Sequence, residues 1–279
     1  MIEFAYVDPA EILTSDGLED LKLLTSCPAV SDALSRGGWI AGGSIRAILS
    51  GLPLASYTDS NLNNGLAGDI DIFFKSKADA DAAVRSRIYR GRMRSFGGNA
   101  SQFYDDLSIN EEPRSITIQF VDSEKLCLPL EDSLRQFDFL NCMVAFDGKS
   151  IIIPVGWETI EKQKLLHIAN DETPYLASRI SKYMRRRGYV GVTPESRDRL
   201  HSWLVKSLSS KNFPGFEERT SHAFESIQKI DSIITSEELL LFVGRWSETF
   251  SERDKYGPIY EERVDWALNK INIRANCSI

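Results

Sequence analysis

The stretch Gly68-Asp69-Ile70-Asp71-Ile72-Phe73-Phe74 alternates acidic and apolar residues. At the two-residue period of a β-strand, Asp69 and Asp71 fall on one face and Ile70, Ile72 and Phe74 on the other. Two carboxylates on one side of one strand make a site for hard divalent cations.

A second stretch complements it. Trp39-Ile40-Ala41 reads as a buried strand that runs into Gly42-Gly43-Ser44-Ile45-Arg46. A glycine pair at a strand end lets backbone come close to a ligand. A helix from Ser44 to Leu49, closed by Gly51, would aim its first amide hydrogens and its positive dipole end at the same spot. Together the two stretches predict a phosphate cradle beside a metal site. Between them, Leu52 to Gly68 carries Pro, Ser, Asp, three Asn and two Gly before the acid strand. That composition marks a mobile loop, either a surface insertion or a flap over a nucleotide.

At this point the sequence resembles the nucleotidyltransferases of the polymerase-beta superfamily, whose signature is an apolar residue, Gly-Gly or Gly-Ser, then an Asp-apolar-Asp strand. More narrowly, Gly42 to Arg46 is similar to the head of the bacterial-type (class II) tRNA nucleotidyltransferases and poly(A) polymerases, which usually have Asp where this chain has Ala47. Leu134 to Met143 resembles that family's Arg-Arg-Asp-Phe-Thr-x-Asn-Ala segment, one residue shorter between Asp138 and Asn141. Lys182 to Tyr189 is similar to its Arg-Phe-x-x-Arg-Leu-Gly-Phe, found where head meets helical neck. Glu195 to Arg199 lacks the spacing of the neck motif that reads the incoming base.

The resemblance implies roles for particular residues. Asp69 and Asp71 would be catalytic and would hold two magnesium ions. Gly42, Gly43 and Ser44 would grip the beta- and gamma-phosphates, and Arg46 would add charge there or pair with an acid. Arg135 and Asp138 would be nucleotide-site groups; their alternative is an ion pair supporting the sheet. Arg179 and Lys182 would also meet the nucleotide. Ser115 to Asp122 alternates as a strand, and in the superfamily this strand often brings a third carboxylate. Here Thr117 and Gln119 occupy the matching face, which leaves Asp122, at the strand end, as the nearest candidate, with a capping or turn role as its alternative.

The remaining chain sets the frame. Helices are predicted over about Gly17 to Leu24, Val30 to Leu34 and Asp79 to Arg87, after an extended lead-in over residues 1 to 16. Gly91 to Ser101 reads as loop, and an apolar hairpin is predicted around Asp147-Gly148. From Glu158 onward the pattern turns helical. Residues 176 to 211 hold nine Lys or Arg against two acids, a basic patch fit for a triphosphate or an RNA backbone, or a solvated helix face.

Net charge is -7 over 279 residues, which argues against a general nucleic-acid coat and makes any RNA contact local. Cys27, Cys127, Cys142 and Cys277 have neither zinc-site spacing nor the density of a secreted disulfide scaffold, so reduced structural cysteines in a cytoplasmic protein are expected. His167, His201 and His222 lack metal-ligand partners at helical spacing. No stretch approaches the roughly 18 uninterrupted apolar residues of a membrane span.

The expected fold is α+β. A nucleotidyltransferase head over residues 1–155, with a mixed, mostly antiparallel sheet, precedes an all-helical neck and body over 156–279. The expected reaction transfers a nucleoside monophosphate from ATP or CTP, with pyrophosphate released, to an RNA 3' end such as that of a tRNA. The alternatives are a protein or small-molecule acceptor, or a catalytically altered homologue that only binds nucleotide or RNA. Nothing in the sequence points to a stable protein partner.

Overall fold

The acid-bearing strand lies near the middle of an eight-stranded sheet, reached after a short helical approach. The computed structural model describes residues 2–58, 68–88, 93–96, 100–109, 112–172, 176, 179–180, 183, 187–189, 191–196 and 199–200. It divides into two units, Met1–Glu161 and Lys162–Ile279.

Within the first unit, β1 (Phe4–Val7) leads to α1 (Pro9–Ile12), α2 (Ser15–Ser26) and α3 (Pro28–Ser35). Asp8 caps α1 by accepting from the Ala10 amide at 2.8 Å, and Thr14 caps α2 by accepting from Gly17 at 3.2 Å. Next come β2 (Trp39–Ala41), α4 (Gly43–Leu49), α5 (Leu54–Thr58), β3 (Ile70–Phe73), α6 (Lys77–Ile88), β4 (Met93–Phe96), β5 (Ala100–Ile109) and β6 (Glu112–Val121). The unit continues with α7 (Leu130–Leu134), a 3₁₀ turn at Leu140–Cys142, β7 (Ala145–Phe146), β8 (Ile151–Pro154) and α8 (Trp157–Lys162).

The strand order is β1-β8-β7-β2-β3-β6-β5-β4, with β3 and β6 parallel and the other pairs antiparallel. This is the expected mixed, mostly antiparallel α+β sheet. Helices α3, α4 and α6 lie against β2, β3 and β6. On the face of these strands opposite the acids, Ile40, Ile70, Ile72, Ile118 and Phe120 are fully buried. Phe120 also meets Phe74 and Phe103, with ring centroids 5.5 and 4.9 Å apart. Each such side chain contributes about 1.5–3 kcal/mol on burial. A one-residue slip of β3 would exchange Ile70 and Ile72 for Asp69 and Asp71 in this core, so burial fixes which face carries the acids.

Several expectations are corrected. Residues 1 to 16 hold an edge strand and a short helix, not an extended lead-in alone. Part of the predicted 52–68 loop is α5, whose Leu54 amide donates to Asp20 at 2.9 Å and whose Leu54, Tyr57 and Thr58 are buried. Anchorage from α2 thus orders residues that their composition marks as loop; residues 59–67 lie outside the described residues. Gly91 to Ser101 contains β4 and the start of β5, because antiparallel pairing of Met93↔Phe103 through Phe96↔Ala100 overrides the loop-like composition. The hairpin at Asp147-Gly148 forms as predicted, with Asp147 accepting from the amides of Lys149 and Ser150.

The second unit holds a short parallel pair, β9 (Leu165–Leu166) with β10 (Gly191–Val192), so its described part is not all helical. Helical residues occur between 176 and 187 and at 194–196. His167 lies beside the Thr193 hydroxyl at 3.2 Å, and burial pushes its pKa down, consistent with a structural role. The predicted helices beyond residue 200, with His201, His222 and Cys277, lie outside the described residues. Cys27, Cys127 and Cys142 are reduced. Among the described residues no helix is long and apolar enough to cross a membrane.

Candidate metal and phosphate site

Antiparallel pairing of β2 with β3 sets Ala41 beside Asp71, so the chain leaving β2 through Gly42-Gly43-Ser44 emerges next to the acid strand. Gly42 has φ +81°, a left-handed conformation that favours glycine. Its amide donates to the Val144 carbonyl at 2.9 Å, while its carbonyl accepts from Arg46 at 3.0 Å to start α4. The turn is therefore tied to β7 on one side and to the helix on the other.

Side chains press closely on both glycines. A Cβ at Gly42 would stand 3.0 Å from the edge of the Phe137 ring, and one at Gly43 would stand 2.5 Å from the Tyr57 hydroxyl. Tyr57 fills the corresponding space at Gly68 too, where a Cβ would come within 2.3 Å of its ring. Its hydroxyl donates to the Asp69 carbonyl at 3.1 Å, and its own carbonyl accepts from the Gly68 amide at 2.8 Å. Tyr57 thus ties the glycine turn to the beginning of the acid strand. No local sequence signal marks it; the clue is that Gly43 and Gly68, far apart in sequence, both lack a side chain.

Asp71 lies on the face of β3 opposite Ile70 and Ile72, and Asp69 is the residue just before the strand. Their Cα atoms lie about 6.6 Å apart at ordinary strand rise. In the parallel pair with β6, Gln119 stands beside Asp71, and its side-chain amide donates to Asp69 Oδ2 at 3.1 Å. Asp122 is not brought to them. It follows Gln119 by three residues, about 10 Å further along the strand direction, and accepts instead from Ser101 Oγ at 2.6 Å. Lys77, whose pKa is raised first by its hydrogen bond to Asp81, also feels Asp122. The Ser101–Asp122 bond joins the end of β6 to β5, a contact that is neither a cap nor a turn. Among the described residues no group of three or more His, Cys, Asp or Glu gathers at one point.

The other candidates separate. Ser44 is fully buried, and its hydroxyl has no hydrogen-bond partner. Arg46 is turned to architecture: its guanidinium pairs with Glu161 at 3.5 Å, both side chains being buried. Glu161 also accepts from Ser50 Oγ at 2.8 Å and from Asn141 Nδ2 at 3.1 Å, while the Trp157 indole donates to the Asn141 carbonyl at 3.0 Å. Arg135 pairs with Glu131 at 2.8 Å and Asp132 at 3.0 Å and lies over the Phe4 ring at 5.2 Å, so it supports the β1 edge of the sheet and not the acid strand. Asp138 is buried directly after Phe137, whose ring meets Phe73 at a centroid distance of 5.5 Å. Arg179 is an exposed residue of the second unit, and Lys182 lies outside the described residues.

Residues 17–162, more than half of the chain, match the model of the Gabija anti-defense 2 family. The chain belongs to this family. No curated protein matches it. The span that defines the Gabija anti-defense 2 match runs from α2 into α8. It therefore contains the glycine turn, Tyr57, the acid strand, Gln119 and the buried Arg46–Glu161 pair.

Proposed function

We propose that this protein is a metal-dependent nucleotidyltransferase that moves a nucleoside monophosphate from a nucleoside triphosphate to an acceptor and releases pyrophosphate. The observation that supports the reading is the Ala41↔Asp71 register, which brings the glycine turn leaving β2 next to the acid-bearing strand. A buried hydroxyl without a partner costs about 1–3 kcal/mol. Ser44, three residues beyond Ala41, carries such a group, and a ligand is one way of satisfying it.

The donor set fits magnesium, which is commonly held by one or two carboxylates, with water and substrate phosphate oxygens completing its shell. Asp69 and Asp71 are the residues that would hold it. Bound there, the metal neutralises charge on the transferring phosphoryl group and on the attacking and leaving oxygens. Ser44 donates to a phosphate oxygen, and Tyr57 holds the glycine turn and the acid strand at fixed separation while in-line attack proceeds. The ion pairs of Arg46 with Glu161 and of Arg135 with Glu131 and Asp132 favour structural roles for both.

The resemblance to tRNA nucleotidyltransferases favours an RNA 3' end as acceptor. The family description favours a second: an acceptor within the Gabija defence, modified so that the defence fails. Purified protein incubated with each labelled triphosphate, magnesium, total RNA and Gabija components separates them. Label in RNA supports the first acceptor and label in a Gabija protein the second. Asp69→Asn and Asp71→Asn should each lower transfer by at least about a hundredfold with thermal stability unchanged. Binding of triphosphate without transfer to any acceptor, identical in wild type and Asp71→Asn, would overturn the reaction.

A further inference from the structure

We infer that Gln119 is a positioning residue of the metal site: it orients the Asp69 carboxylate for the cation and limits the strand pair to two formal negative charges. This rests on the metal-binding reading of Asp69 and Asp71.

Two observations converge on it. The β3–β6 register places Gln119 side by side with Asp71, at the strand spacing of about 4.8 Å. Its amide nitrogen reaches Asp69 Oδ2 at 3.1 Å. One side chain of β6 therefore stands beside Asp71 in register and bonds to Asp69, the residue just before β3.

The chemistry follows from what an amide has to offer. Through Nε2, Gln119 donates and cannot ligate a cation with the same atom. Donation to Oδ2 restrains rotation of the carboxylate and so fixes the direction it presents to a metal. Outer partners that fix a ligating carboxylate in this way commonly tune metal affinity by about 10–100-fold. The neutral amide also relieves like-charge repulsion between Asp69 and Asp71 before a cation arrives. A glutamate at this position would do the opposite. It would add a third negative ligand, destabilise the metal-free protein by repulsion and raise cation affinity, because ligand charge count sets affinity for hard cations.

The test uses the full chain, with manganese binding measured by electron paramagnetic resonance and thermal unfolding followed in EDTA and in magnesium. Gln119→Leu should unfold cooperatively in EDTA and bind manganese roughly tenfold more weakly. Gln119→Glu should unfold at lower temperature than wild type in EDTA, recover in magnesium and bind manganese several-fold more tightly. A purely structural glutamine would make both variants less stable by the same amount with and without metal, and would leave manganese affinity unchanged; that result overturns the inference while the metal site stands. Should wild type bind no more manganese than Asp71→Asn, the metal reading fails and the inference falls with it.

Discussion

Helix α4 carries two buried polar side chains two residues apart, and they meet opposite fates. Arg46 pairs with Glu161, which also accepts from Ser50 and Asn141, and Trp157 donates to Asn141 in turn, while the Arg46 Nε has no hydrogen-bond partner. Ser44, equally buried, has a hydroxyl with no partner. Burial alone therefore does not separate scaffold from site. What separates them is the ion pair: Arg46 is held by Glu161, whereas the single polar atom of the Ser44 side chain is unsatisfied, a state that folding disfavours.

The largest expected effect tests the scaffold side. Arg46→Ala leaves Glu161 as a buried carboxylate without its cation and should cost about 3–5 kcal/mol in urea denaturation. The double change Arg46→Met with Glu161→Leu should recover most of that loss, because an apolar pair avoids the desolvation penalty. If Arg46→Ala keeps full stability and instead abolishes triphosphate binding, the roles of the two side chains are exchanged. A smaller effect tests the site side. Ser44→Ala should leave stability unchanged or raise it by about 1 kcal/mol, since it deletes an unsatisfied group. The same change should weaken ATP or CTP binding by roughly tenfold in calorimetry, the loss of one hydrogen bond to a charged acceptor. The smallest effect concerns the tie between turn and strand. Tyr57→Phe keeps the ring over Gly43 and Gly68 but loses the bond to the Asp69 carbonyl. It should cost about 1 kcal/mol of stability, read as a small shift in the denaturation midpoint.

Much of the site was legible because its signals are local. The Asp69 to Phe74 alternation and the Trp39 to Ser44 run carry their own period and turn chemistry, and β2, β3 and α4 form where those predict. The face of Gln119 was readable for the same reason, though not its bond to Asp69. What escaped depends on distant partners. Nothing near Arg46 announces Glu161, since the cluster they share spans 111 residues between Ser50 and Glu161. Arg135 sits in a stretch similar to a nucleotide-orienting motif, yet its nearest acids, Glu131 and Asp132, lie one helical turn behind it and claim it. Strands β4 and β5 were hidden because pairing across the sheet, not the glycine-rich sequence between them, decides their conformation.

The hydrogen bond from the Gly68 amide to the Tyr57 carbonyl has a consequence for how such a protein can vary. It joins the two ends of the intervening chain at one point, with α5 anchored to α2 on one side and the acid strand held in the sheet on the other. Whatever departs after Thr58 must return at Gly68, so its length and composition are decoupled from the positions of Asp69 and Asp71. Extra residues there add only slowly to the entropy of closing the loop, about 0.6 kcal/mol for each doubling of length. A change in the length of the 59–67 stretch is therefore expected to leave the Tyr57–Gly68 tie and the acid-bearing strand in place.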